Sequence, residues 1–325
     1  MMAKYKVAVT DYTFDDLDIE RAILEPLGCE IVGQKIGRTP EQLVPLVEDA
    51  DYVITQFAPV NAQVIVAMQK CKLIVRYGIG VDNVDLAVAA AKGIPVCNVP
   101  DYCIDEVADH ALAMILDLTR KITIHAVHVK AGGWGMAVPL SAMHALKNLT
   151  VGVVGFGRIG REVVQRLQAF KCKILVFDPA VDAAAIQAAG CVESTLEELL
   201  SASDLVTLHC PSNPTTQYMI NARSIAKMKP GAMLVNTSRG TLVKTDDLAA
   251  ALQSGRLSAA ALDVTDPEPI PPDHPIVKLD NCVINAHLAS VGVPSFRKLR
   301  RTAAEIVAMA IHGQKLPNVV NGVNS

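Results

Sequence analysis

The run VGVVGFGRIGREVV, residues 151 to 164, limits more than any other stretch what this chain can fold into. It sets Gly155, Gly157 and Gly160 in a GxGxxG pattern between an apolar strand-like segment and a helix-like one. Glycines at that spacing allow a tight turn and a close approach of the main chain. A pyrophosphate can then meet the amides of Arg158 and Ile159 at the positive end of the following helix. Asp178 closes the next strand-like run, KILVFDP, eighteen residues beyond Gly160. A carboxylate there accepts hydrogen bonds from an adenosine ribose and repels a 2'-phosphate. No arginine follows at once, so NAD rather than NADP is the expected cofactor.

The glycine loop opens a regular series of strand-like runs: LTVGVVGFG, KILVFDP, DLVTLHCP, AMLVNTS, SAAALDV and CVINAH, each separated by a helix-length segment. Six parallel strands in a doubly wound sheet follow from that alternation. Upstream, YKVAVT, CEIV, DYVITQF, KLIVRYG and PVCNV form a second α/β series. The 325 residues, 51% of them hydrophobic, suffice for two cores. The expected fold class is α/β, with two Rossmann-like or flavodoxin-like parallel-sheet domains and an interdomain cleft. Residues 1–98 plus 291–325 would form a substrate-binding domain and residues 99–290 the NAD-binding domain. YCIDEVADHALAMILDLTRKI, between the two series, reads as a helix apolar around nearly its whole circumference and hence buried. FRKLRRTAAEIVAMAIHG reads as a final helix returning to the first domain.

Charge and composition narrow the function. A net charge of -3 provides no broad basic field for nucleic acid. The one dense basic cluster, Arg297, Lys298, Arg300 and Arg301, reads as a solvated helix face. Apolar runs fall well short of the roughly 18 residues of a membrane span, and the amino-terminal residues lack the pattern of an export signal. Eight cysteines without a CxxC pair fit reduced thiols in a cytoplasm. His125 and His128 have no acid or thiol at matching spacing, so no metal is expected. Asp82 and Asp85 read as caps of a turn and of the helix that follows.

Ligands of an open α/β sheet gather at the carboxyl ends of its strands. There the second series places His209, Cys210 and Pro211, then Thr237, Ser238 and Arg239, then Asp263, and last His287. This set suits hydride exchange with a 2-keto acid. Arg239 can grip a carboxylate with two parallel hydrogen bonds, and His287 can exchange the proton. The segment ALDVTDPEP supplies three acids: Glu268 as the partner that orients His287, Asp263 for the nicotinamide carboxamide, and Asp266 as a turn cap before Pro267.

Together GFGRIG, FDP, LHCP, NTSRG, ALDVTDPEP and NAHLAS, with RYGIGVDNVDL and NVPDYCIDEVADHALAMIL, resemble the D-isomer-specific 2-hydroxyacid dehydrogenases over nearly the whole chain. PDYCIDEVADHAL and KAGGWG are most similar to the group that includes the C-terminal-binding-protein dehydrogenases. The resemblance implies Arg239, Glu268 and His287 as the catalytic set, with Asp263 a cofactor contact. It implies a substrate carboxylate held around Tyr77, Gly78, Ile79 and Gly80, with Val107 near the nicotinamide and Thr216 also on the cofactor side. It further implies a homodimer formed through the cofactor domain. Ala286 stands where the family usually has proline, Thr265 where it often has an aromatic residue, and Leu288, Ala289 and Ser290 where the similar group tends to carry a tryptophan. Substrate choice therefore does not transfer. A regulatory NAD(H)-binding dimer of the same fold without significant turnover is the alternative, and the complete Arg, Glu and His set argues against it.

Overall fold

The computed structural model describes residues 4–323, which divide into two compact units, residues 4–102 with 292–323 and residues 103–291. Every strand pairing in both is parallel. The first unit holds β1 (Tyr5–Val9), β2 (Cys29–Gly33), β3 (Tyr52–Thr55), β4 (Leu73–Arg76) and β5 (Val96–Cys97) in the order β2-β1-β3-β4-β5, the flavodoxin-like arrangement. β3 and β4 are buried at every position, as expected of strands covered on both faces. The five strand-like runs of the sequence correspond to these five strands. Asp85 caps the helix Leu86–Ala91 by accepting from the Val88 amide.

The second unit holds β6 (Thr150–Val154), β7 (Lys173–Phe177), β8 (Val192–Glu193), β9 (Leu205–Leu208), β10 (Ala232–Asn236), β11 (Leu257–Leu262) and β12 (Cys282–Ile284), ordered β12-β11-β10-β9-β6-β7-β8. Seven strands are present where six were expected. The addition, β8, is two exposed residues long at the sheet edge, too short to give a period. The direction of the order reverses between β6 and β9, so the crevice of a doubly wound sheet lies between the loops that follow them.

Two helices depart from their sequence reading. Helix Ile104–Arg120 packs on the helix Arg158–Gln168 and on β10 and β11, but it is not buried all round: Asp105, Asp109, Ala113 and Arg120 form an exposed edge. Arg166 gathers the acids of that edge, donating to Asp109 at 2.7 Å and Asp105 at 2.8 Å. The final helix, Val293–Ile311, packs against helix Asp18–Leu24 and β4 in the first unit. Arg300 is not on its solvated face. The side chain is buried and donates to both oxygens of Glu20, with Nη2 to Oε2 at 2.7 Å. Glu20 is fully buried and also accepts from the Tyr77 hydroxyl at 2.8 Å. Burial, and then the adjoining Glu20 charge, keep that phenol protonated far above its usual range. An arginine three residues from another basic side chain looks like surface in the sequence, and only the docking of two distant helices shows it to be core.

Candidate active site

The glycine loop forms because two of its glycines, Gly155 and Gly160, each solve a separate steric problem. Gly155 stands at φ 97°, and a Cβ there would come within 2.6 Å of the His209 carbonyl carbon and the Cys210 amide. The loops after β6 and β9 therefore touch at the point where the strand order reverses. At Gly160 a Cβ would lie 2.1 Å from the Gly155 carbonyl oxygen. Gly157 is different, because a Cβ there meets only open space. It is the N-cap of helix Arg158–Gln168, and no side chain caps that end. The amides of Arg158, Ile159 and Gly160 thus have no acceptor within the helix, as a bound phosphate requires. Asp178 braces the loop, accepting from the Phe156 amide at 2.7 Å and the Ala180 amide at 2.9 Å.

Nearby polar groups are arranged to suit a dinucleotide. His209 Nε2 pairs with Thr207 Oγ1 at 2.8 Å, while its Nδ1, like the hydroxyl of Thr237, is shut off from solvent with no partner among the described residues. Burial pushes the His209 imidazole down to about 3, so it is neutral near pH 7. Cys210 sits against Met219 and its thiol is pushed up to about 11 by burial. Pro211 accepts from the Thr216 hydroxyl at 2.8 Å, which closes the turn 211–216. Ser238 donates to the Leu208 carbonyl at 2.8 Å and so ties the ends of β9 and β10. Val107 is buried near the start of helix Ile104–Arg120. These open amides and partnerless buried atoms fit a dinucleotide.

The ends of β10, β11 and β12, three adjacent strands, carry Arg239, Asp263 and His287. Arg239 Nη1 donates to the Ser238 carbonyl at 2.7 Å, which sets the plane of the guanidinium. A Cβ on Gly240 would stand 1.8 Å from the Thr265 carbonyl, so glycine alone lets the Arg239 turn lie against the acidic segment after β11. In that segment Asp266–Pro267 and Glu268–Pro269 are both cis. Glu268 Oε1 lies 2.7 Å from His287 Nδ1. Asp266, read as a turn cap, instead accepts from the Tyr218 hydroxyl at 2.5 Å.

His287 is held in the left-handed region at φ 57°, a conformation non-glycine residues seldom adopt and one that clusters at functional sites. Asp263 maintains it. Its carbonyl accepts from the His287 amide at 2.7 Å, and its buried carboxylate accepts from the Leu288 and Ala289 amides, each at 2.8 Å. Within the chain, therefore, Asp263 fastens the loop that bears the imidazole. Sequence reasoning overlooked a further residue of this cluster, His110, whose Nε2 accepts from the Asn285 amide group at 2.9 Å and lies 3.7 Å from Asp263. A lone histidine on a helix carries no signal for such a contact.

In the first unit, the candidate anion loop narrows from four residues to two. The Tyr77 side chain points into the core toward Glu20, and its amide donates to Thr55 at 2.7 Å. Neither the hydroxyl nor the amide of Tyr77 is left open to a ligand. The Gly78 amide donates to the Arg76 carbonyl at 2.8 Å. The amides of Ile79 and Gly80 enter no hydrogen bond among the described residues, and Asn98 secures the loop by donating to the Ile79 carbonyl at 2.6 Å.

A seven-stranded parallel sheet with an uncapped glycine turn at its switch point, and an imidazole–carboxylate pair at the ends of β11 and β12, defines a dinucleotide-dependent oxidoreductase. The chain belongs to the D-isomer specific 2-hydroxyacid dehydrogenase family, whose NAD binding domain is matched by residues 112–289. It is 35% identical to a hydroxypyruvate reductase of Blautia hydrogenotrophica over 97% of this chain and 99% of that protein. It is also 35% identical to a D-3-phosphoglycerate dehydrogenase of Mycobacterium bovis over 88% of this chain, but spans only 54% of that longer protein. The crystal structure of D-lactate dehydrogenase from Aquifex aeolicus, complexed with NAD and lactic acid, superposes with a TM-score of 0.86 at 30% identity, covering 94% of this chain and 96% of that one. The protein is thus an NAD-dependent 2-hydroxyacid dehydrogenase. No described helix is long and apolar enough to cross a membrane.

Proposed function

We propose that the protein interconverts a small D-2-hydroxy acid and its 2-keto acid with His287 as the acid and base. The observation that carries this reading is the 2.7 Å pair of His287 Nδ1 with Glu268, on a loop held in a strained conformation. Glu268 engages Nδ1, which leaves Nε2 as the ring atom that exchanges a proton with the substrate oxygen. When bound, the dinucleotide would supply the hydride as NADH or accept it as NAD. Arg239 grips the substrate carboxylate and polarises the neighbouring carbonyl. In the first unit, the amides of Ile79 and Gly80 are placed to donate to a carboxylate. His209 is neutral near pH 7 and does not compete for the acid's role.

Among substrates, the end-to-end likeness to a hydroxypyruvate reductase makes hydroxypyruvate the first to test, with glyoxylate, pyruvate and branched keto acids beside it. The purified protein should oxidise NADH with at least one of them. No turnover with any would favour a regulatory NAD-binding dimer instead. Asp178 faces the ribose in this reading, and Asp178→Ala should weaken NADH and narrow its advantage over NADPH. Because Asp178 also braces Phe156, some loss for both dinucleotides is expected. Tighter binding of NADPH than NADH by the parent protein, in a calorimetric titration, contradicts the assignment.

Residues 122–140 support a homodimer through the cofactor domain. Ile122, Val127, Val129, Trp134, Met136 and Leu140 are all exposed, Trp134 at 90%, a density of open apolar side chains that a partner surface would cover. Sedimentation should show a dimer that Trp134→Glu with Leu140→Asp dissociates, and a monomeric parent protein at micromolar concentration overturns it. The eight cysteines, none in a disulfide, support the cytoplasm as its place.

A further inference from the structure

The cluster around Asp263 contains an imidazole that the reaction does not use. His110, on helix Ile104–Arg120, accepts from the Asn285 side-chain amide at 2.9 Å, and its Nε2 lies 3.7 Å from Asp263 Oδ1. Asn285 is tied at its own amide to the Leu262 carbonyl at 2.8 Å and stands two residues before His287. Asp263 is the residue that fastens the amides of His287, Leu288 and Ala289 by its carbonyl and carboxylate. One side chain from outside the strand-end loops therefore meets both anchors of the segment 285–289. That segment holds His287 at φ 57°, which the local chain does not favour and which persists only where the surroundings over-determine it.

We infer that His110 is a positioning residue for His287, acting through Asn285 and Asp263. The inference rests on the reading of His287 as the acid and base, and it adds a requirement that reading does not contain. His110 makes no proton transfer to the substrate. Its part is to join helix Ile104–Arg120 to the loop end, so that the His287 ring keeps one placement during turnover.

The test compares His110→Leu, which keeps the bulk and removes the bond, with His110→Gln, whose terminal amide can reach the position of Nε2. In NADH-dependent keto-acid reduction, His110→Leu should lower kcat about tenfold with NADH affinity retained, the scale expected of a small misplacement of a reacting group. His110→Gln should recover most of the loss. Asn285→Ala should cost about as much as His110→Leu, and the double variant no more than either, because both break one connection. Full kcat in His110→Leu, or losses that multiply in the double variant, overturns the inference. A second readout does not depend on turnover. The ring signal of His287 in histidine-labelled NMR, identified by its absence in His287→Asn, should broaden or divide in His110→Leu and sharpen again in His110→Gln. An unchanged signal overturns the positioning role. Failure of the acid and base role itself shows separately, as full activity in His287→Asn.

Discussion

His287→Asn is expected to lower turnover by about 10²–10⁴ while NADH binds as tightly as before. Asparagine is the informative replacement because it tolerates the left-handed region that residue 287 occupies at φ 57°. The amide bond to the Asp263 carbonyl, and those of Leu288 and Ala289 to its carboxylate, are main-chain contacts that survive the change. The loop should therefore stand, and the loss should report the missing proton exchange. Steady-state kinetics with the best keto acid, beside a fluorescence titration of NADH, separate the two quantities. Activity within a few-fold of the parent would take His287 out of the role.

The second large effect concerns stability. Arg300→Met is expected to cost about 3–5 kcal/mol, because it leaves the Glu20 carboxylate buried without its cation. Glu20 is fully buried, Arg300 donates to both of its oxygens, and one bond from Tyr77 would remain. Adding Glu20→Gln to Arg300→Met should return much of the loss, since the penalty belongs to the isolated charge. Urea titrations of the parent, single and double variants give the comparison. A parent-like midpoint for Arg300→Met, or a double variant weaker than the single, contradicts it.

Both features bear on what a sequence discloses. The glycine loop, Asp178 and the strand series were legible because their signals are local: a turn needing positive φ at Gly155, a helix start at Gly157, and apolar runs with the length of buried strands. The acidic segment was legible only in part. That Glu268 lies beside His287 follows from neighbouring strand ends, which a parallel order makes foreseeable. That Asp266 takes Tyr218, and that Asp263 holds three consecutive amides, depends on loop paths, among them the close approach Gly240 allows, that carry no local pattern. Arg300, Tyr77 and His110 were misread or passed over for a common reason. Each is defined by a partner 57 or more residues away, and nothing in its immediate neighbours differs from a surface arginine, a loop tyrosine or a helix histidine.

The first unit's use of both chain ends has a consequence during synthesis. Glu20 leaves the ribosome 280 residues ahead of Arg300, so the nascent amino-terminal sheet carries an acid it cannot comfortably enclose. Residues 103–291, one uninterrupted segment, meet no such delay. Translation order and maturation order are thereby inverted: the half begun second can be finished first, and the half begun first is sealed by a helix made after it.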